Sequence, residues 1–210
     1  MLIDKLLDNQ YRCPTGLIGG FVGRQMAKQH VPENTWTVAL LDAQPADHIL
    51  EVGFGPGISI EALSRVVTQG HIAGVDYSRA MLAAASRRNR QAIRAGRVEL
   101  HHGEAAHLPF PNATFDEAYG IHTIYFWPDA PAGLKELRRV LRPDGLLVLT
   151  ILPKERWPAA PDGSLGTPEC HVYSGAELAE LMSAAGFSRS RIASDPDTAK
   201  PSSYSVMGWA

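Results

Sequence analysis

Ile49-Leu50-Glu51-Val52-Gly53-Phe54-Gly55-Pro56-Gly57 is the stretch from which the architecture can be read. His48 to Val52 predicts a short buried strand, and three glycines follow it at alternate positions. Glycines directly after a strand let the backbone turn tightly and approach a ligand with no side chain between. A helix starting after such a turn aims its unpaired N–H groups at the ligand's negative end. A dinucleotide-binding turn would read Gly-x-Gly-x-x-Gly, and counting from Gly53 puts Ile58 where its last glycine belongs. The spacing here is Glu-x-Gly-x-Gly-x-Gly.

Working outward from that turn, strand and helix patterns alternate, the mark of a parallel sheet with helices on both faces. A helix is expected from Ile58 to about Val67, then a strand over His71–Asp76 and a helix capped by Ser78. Val98 to Leu100 predicts a third strand and Phe115 to Ile121 a fourth. Leu134, Leu137, Val140 and Leu141 form one apolar stripe of a helix that Pro143-Asp144-Gly145 is expected to end. Gly145 to Ile151 is so continuously apolar that it should be a strand buried on both faces. Residues 153–168 read as a long loop, and Ser174 as the cap of a helix reaching Gly186. Two last strands, near Arg191 to Ala193 and Tyr204 to Met207, leave no room for a crossover helix and should form an antiparallel hairpin. The expected fold is therefore α/β and Rossmann-like, a seven-stranded, mostly parallel sheet whose last strand pair is antiparallel. Residues 1–45 hold two helical patterns, Val22 to His30 and Asn34 to Ala43, separated by Pro32. They are expected to form an N-terminal helical cap or lid on a core of residues 46–210.

Asp76 ends the second strand, 19 residues beyond Gly57. A carboxylate in that place can accept both hydrogen bonds of a ribose diol, as it does in dinucleotide folds. Three further segments are distinctive in this order: His102-Gly103-Glu104-Ala105-Ala106-His107-Leu108-Pro109-Phe110, Phe115-Asp116-Glu117-Ala118, and Glu136-Leu137-Arg138-Arg139-Val140-Leu141-Arg142-Pro143-Asp144-Gly145. Together with Glu51 to Gly57 and Val75 to Ser78, they resemble the class I S-adenosylmethionine-dependent methyltransferases. The similarity runs from about Leu50 to Leu152 and is nearest to the small-molecule branch containing the quinone-biosynthesis C-methyltransferases.

The resemblance implies S-adenosyl-L-methionine as cofactor and assigns it residues. Glu51 would orient its amino-acid end, and Gly53, Gly55 and Gly57 would line its adenosine and methionine. Asp76 would bind the ribose hydroxyls, while Tyr77 and Met81 pack on the adenine. Gly103, Glu104 and Ala105 would border the adenine, with Glu104 facing its amino group where many members carry aspartate. Asp144 stands where members often have a second glycine.

Methyl transfer from a sulfonium chiefly needs an acceptor held close, aligned and dry, and a base only when the acceptor has a proton to lose. The acceptor atom, whether O, N, C or S, is thus left open. The fourth strand runs into Tyr119-Gly120-Ile121-His122-Thr123, with no Asn-Pro-Pro-Tyr of the kind used on exocyclic amines of bases. No Pro-Cys nucleophile for pyrimidine C5 occurs, and no carboxylate cluster points to a metal. His122 is the candidate general base, with a structural role as the competing reading. Tyr125 and Trp127 are candidates for an acceptor pocket, which Trp36 and Trp157 could help to close.

Composition agrees with an enzyme of this kind. The chain has 210 residues, 45% hydrophobic and 20% charged, enough for a buried core without staples. A net charge of -2 gives no global pull toward nucleic acid, and the arginines at 87, 88, 90 and 94 read as a solvated helix face. No apolar run approaches the roughly 20 residues of a membrane helix. Two cysteines, Cys13 and Cys170, suit a reducing cytoplasm. The expected partner is a small-molecule acceptor, with neither nucleic acid nor membrane. Two other readings stay open: a nicotinamide-dependent oxidoreductase, and a catalytically inert protein of the same fold that stabilises a partner.

Overall fold

The computed structural model describes residues 31–157, 165, 170–195 and 203–210. Its strands are β1 (His48–Val52), β2 (His71–Asp76), β3 (Val98–His102), β4 (Phe115–Ile121), β5 (Leu141–Ile151), β6 (Arg189–Ser194) and β7 (Tyr204–Trp209). They form one sheet in the order β3-β2-β1-β4-β5-β7-β6. β1 to β5 pair with one another in parallel, whereas β7 runs antiparallel to both β5 and β6. The expected sheet is the one observed. The strand order reverses between β1 and β4, and the carboxyl edge at such a switch point is where open α/β sheets bind ligands.

Among the described residues six α-helices cover the sheet: α1 (Val31–Leu41), α2 (Ile58–Leu63), α3 (Arg79–Arg88), α4 (Arg90–Arg94), α5 (Ala130–Val140) and α6 (Gly175–Ala184). Alternation along each strand splits the core into two layers. Leu50, Val75, Leu147 and Leu149 pack with Leu134 and Leu137 of α5 and with Leu178 and Met182 of α6. Ile49, Ile72, Tyr119 and Val148 pack on the other side with Leu41 of α1, Ile60 and Leu63 of α2 and Ala85 of α3. Each fully buried aliphatic side chain contributes about 1.5–3 kcal/mol to folding.

Several boundaries differ from expectation, each for a local reason. α1 starts at Val31, ahead of the expected Asn34, and takes in Pro32, because the first-turn N–H that proline lacks would have no helical partner anyway. The α-helix after the glycine turn ends at Leu63, though Val67 N–H still donates to the Leu63 carbonyl at 2.8 Å. Leu141 belongs to β5, not to the stripe of α5: it pairs with Phe115, and a bulge follows before Glu117 meets Leu146. The helix cannot continue because Arg142 precedes Pro143, and a residue before proline is pushed out of the helical region. Asp144 takes φ 64 inside that bulge and donates its N–H to the Ala210 carbonyl at 2.9 Å, so the segment that stops the helix is also tied to Ala210. Ser174 caps α6 in a full capping box with Glu177, as its sequence implies. The Val22 to His30 pattern, Cys13 and most of the 153–168 loop lie outside the described residues.

Buried hydroxyls tie α1 to the sheet. Thr37 Oγ1 donates to the Glu33 carbonyl at 2.7 Å and lies 2.6 Å from Thr150 Oγ1 of β5, which lies 2.7 Å from Ser205 Oγ of β7. All three hydroxyl residues are at most 1% exposed.

Candidate functional site

The carboxyl ends of β1, β2 and β4 converge at the switch point. Gly53 N–H donates to the Val75 carbonyl at 2.7 Å and Gly57 N–H to the Phe54 carbonyl at 2.9 Å, folding the chain back between β1 and α2. Gly53 holds φ +80, and a Cβ there would stand 2.2 Å from Thr123 Oγ1, so only glycine lets the turn close on the segment after β4. At Gly55, by contrast, a Cβ would meet nothing within 4 Å. The turn therefore packs tightly on its β4 side and leaves open space at its middle glycine.

Two buried carboxylates flank this turn. Asp76 Oδ2 accepts from Gly55 N–H at 2.8 Å and Oδ1 from Ser78 N–H at 2.7 Å. A carboxylate has about four acceptor positions, so one remains on each oxygen, the set a vicinal diol requires. Burial raises the Asp76 carboxyl to about 6 against the pull of those two N–H groups. Glu51, 2% exposed at the end of β1, accepts from Ser59 Oγ at 2.7 and 2.8 Å and from Tyr119 Oη at 2.7 Å. Desolvation lifts it to about 7, with the two hydroxyls opposing that rise and Asp76 adding to it. Among the described residues every donor to Glu51 is neutral.

The other residues that the resemblance singled out spread around this pair. Gly57 closes the turn, and its carbonyl accepts from Asn89 Nδ2 at 3.1 Å. Tyr77 is 54% exposed and stacks on His102 at 6.2 Å, forming an aromatic rim beyond Asp76. Gly103 N–H donates to the Asp76 carbonyl at 3.0 Å, which fixes the end of β3 beside β2. Glu104 is exposed next to it. Met81 and Ala105 lie deeper, at 3% and 7% exposure.

After β4 the chain takes a strained step. His122 has φ 52, uncommon for a side chain of its size, while its N–H donates to the Thr150 carbonyl at 2.9 Å. Its Nδ1 lies 3.5 Å from the Tyr125 hydroxyl, and the two rings are nearly parallel, 16° apart. Tyr125, 1% exposed, accepts from Leu152 N–H and meets Trp157 edge-on at 4.8 Å. Burial holds its phenol well above the usual range, so it stays a neutral hydroxyl. Trp127 is placed elsewhere: it is 6% exposed under α5 against Gly133, with its indole N–H donated to Thr123 Oγ1 at 3.2 Å. His122, Tyr125 and Trp157 thus form one group, and Tyr125 and Trp127 are both buried in the same core layer.

Four residues of this arrangement escape a reading of the sequence alone. Ser59, Asn89, Tyr119 and Thr123 have no local motif. Tyr119 meets Glu51 only because β1 and β4 are neighbours with these two residues in register. His101 and His71 pair with Glu99 on the β2–β3 edge, at 3.4 and 3.2 Å, away from His122. Among the described residues no group of His, Cys, Asp and Glu is arranged to hold a metal ion.

A seven-stranded sheet with a reversed β7, bearing two strand-end carboxylates around an open glycine turn, defines a Rossmann-like fold of the methyltransferase class. The methyltransferase-domain family matches residues 50–149. Uncharacterized methyltransferase YdaC of Bacillus subtilis is 32% identical over 171 residues, which span 81% of this chain and 86% of that one. A 2-phytyl-1,4-naphtoquinone methyltransferase of Synechococcus elongatus is 38% identical over 105 residues, but these span only 48% of this chain and 44% of that one. The crystal structure of an S-adenosylmethionine-dependent methyltransferase from Aquifex aeolicus superimposes with a TM-score of 0.67 over 85% of this chain and 89% of its own, at 23% identity. The chain belongs to the S-adenosylmethionine-dependent methyltransferases, and S-adenosylmethionine is its cofactor. Neither a nicotinamide-dependent oxidoreductase nor an inert partner protein of the same fold finds support in these likenesses.

Proposed function

We propose that the protein methylates a small, largely apolar or aromatic acceptor, with Glu51 and Asp76 as the two anchors of the cofactor. The observation that carries this reading is the pair of buried carboxylates on either side of a turn left open at Gly55. S-adenosylmethionine, when bound, supplies an electrophilic methyl group. Asp76 would take the ribose hydroxyls on its two remaining acceptor positions, and Glu51 would take the amino group of the methionine end. Gly53, Gly55 and Gly57 keep side chains out of the cofactor's path. Tyr77, Met81, Gly103, Glu104 and Ala105 would surround the adenine, Tyr77 with its exposed ring and Met81 and Ala105 from beneath. On the acceptor side, Tyr125 and Trp127, both buried, would back the pocket from the core, with the partly exposed Trp157 nearer the acceptor. His122 would receive the proton of a hydroxyl acceptor.

The naphthoquinone substrate in the name of the Synechococcus relative supports an aromatic acceptor, and an O-methyltransferase of Aspergillus sclerotiorum, 32% identical over 154 residues, supports a hydroxyl. Charge and composition support a cytoplasmic enzyme that needs neither nucleic acid nor membrane; among the described residues no helix is long and apolar enough to cross a bilayer. Residues 1–45 would cap the core of residues 46–210, with α1 as the fixed part of that cap. The test is transfer of a labelled methyl group from S-adenosylmethionine to a panel of naphthoquinols, phenols and catechols. Label should enter the extracted small molecules. Label appearing only in added protein or nucleic acid would overturn the acceptor class.

A further inference from the structure

We propose that Tyr119 and Ser59 are positioning residues for cofactor capture, holding the Glu51 carboxylate ionised and aimed so that it can receive the cofactor's ammonium group. The proposal rests on the reading of Glu51 given above and extends it to two side chains that no motif includes. Tyr119 is 0% exposed in the middle of β4, and its hydroxyl reaches Glu51 Oε2 at 2.7 Å. Ser59, 1% exposed in the first turn of α2, places its Oγ within 2.8 Å of both carboxylate oxygens. Among the described residues the groups acting on Glu51 are therefore Tyr119 from β4, Ser59 from α2 and Asp76 from β2, and none is a cation.

That environment sets opposing demands. A carboxylate removed from water is costly unless hydrogen-bonded, and a nearby carboxylate makes it costlier. The two hydroxyls are what the fold provides against this. Tyr119 keeps its proton and donates it to Glu51, because burial and the Glu51 charge hold its phenol well above the usual range. Even so, Glu51 sits at about 7, so near neutral pH a substantial share of the free protein carries a proton there. An ammonium arriving at Glu51 stabilises the ionised form and expels that proton. Cofactor binding should then be linked to release of a proton, and the hydroxyl pair sets the pH at which release occurs.

The experiment is calorimetric titration of the full chain with S-adenosylmethionine from pH 5.5 to 8.5, for the wild type, Tyr119→Phe and Ser59→Ala. Wild-type affinity should rise with pH and level off above the Glu51 transition, with Asp76, at about 6, adding to the lower part of the curve in all three proteins. Loss of one hydrogen bond to the carboxylate should move the transition of Tyr119→Phe up by about one pH unit. Its affinity would then be about fivefold weaker at pH 7, close to tenfold weaker at pH 6, and recover toward the wild type at pH 8.5. A merely structural loss would instead weaken binding equally at every pH. Ser59→Ala should show the same displacement and serves if Tyr119→Phe does not fold. A transition unmoved in the variants, or a flat wild-type curve, overturns the clamp while leaving Glu51 as an anchor. Absence of wild-type binding at every pH overturns the underlying reading itself.

Discussion

Asp76 joins two jobs in one side chain. It ties the glycine turn to β2 through Gly55 N–H and caps the Ser78 turn, while two acceptor positions remain on its oxygens. Hydrogen bonds to a charged group contribute about 1.5–3 kcal/mol each. Asp76→Ala should therefore weaken S-adenosylmethionine binding at least about tenfold in a protein that still unfolds cooperatively, as calorimetry would show; unchanged affinity would remove Asp76 from the site. His122 is the residue for which the proposed chemistry makes the sharpest demand. If it accepts a proton as the methyl group arrives, His122→Asn should keep cofactor affinity and lower the rate on a hydroxyl acceptor by about 10²–10⁴-fold. A rate within a few-fold of the wild type would mean that alignment and exclusion of water suffice, and that the strained φ 52 serves the backbone turn alone. Asp76 could be picked out in the sequence because a carboxylate at a strand end, set at a fixed distance from a glycine turn, is a local pattern. Tyr119 and Ser59 could not, since their value depends on strand register and on a helix returning over β1.

Among the elements, α1 is held more firmly than its place in an N-terminal cap suggests. The contacts from Thr37 through Thr150 to Ser205 cross from helix to β5 to β7 without reaching water. Removing one hydroxyl leaves its buried neighbours underpaired, at a cost of about 1–3 kcal/mol. Thr150→Val, which keeps the shape, should lower stability by that amount in urea unfolding and reduce hydrogen-exchange protection across α1 more than across α6. Equal protection in both helices would show that apolar packing alone fixes α1. The strands were legible because alternation and glycine punctuation are properties of neighbouring residues. The end of α5 was not, because Leu141 continues the apolar stripe of a helix by chance of spacing while its partner, Phe115, lies on another strand. Trp127 is a similar case. Three consecutive aromatics do not say what each packs on, and only the contacts with Gly133 and Thr123 reveal that Trp127, like Tyr125, is buried in the core.

At the scale of the whole molecule, burial of carboxyl groups should shape the response to pH. Glu51 is raised from 4.5 to about 7, Asp76 from 3.8 to about 6 and Glu117 from 4.5 to about 8, each chiefly by desolvation, with Asp47, Asp116 and Asp42 adding to Glu117. A group whose folded value is raised binds its proton more tightly in the native state. Its contribution is thus complete below the unfolded value and is lost as pH rises through the folded one. The cofactor-free protein should therefore melt at lower temperature at pH 8 than at pH 5. Glu117→Gln should flatten that slope and raise Tm at pH 8, by about 2–4 °C for each kcal/mol recovered. A melting temperature that climbs steadily from pH 5 to pH 8 would show these groups to be better solvated than their surroundings indicate. The central claim, that the open turn between Glu51 and Asp76 receives S-adenosylmethionine, is tested most directly by titrating the wild-type chain with S-adenosylmethionine and, separately, with NAD in a calorimeter. The account predicts saturable binding of one S-adenosylmethionine per chain and no heat from NAD; binding of NAD, or of neither, would contradict it.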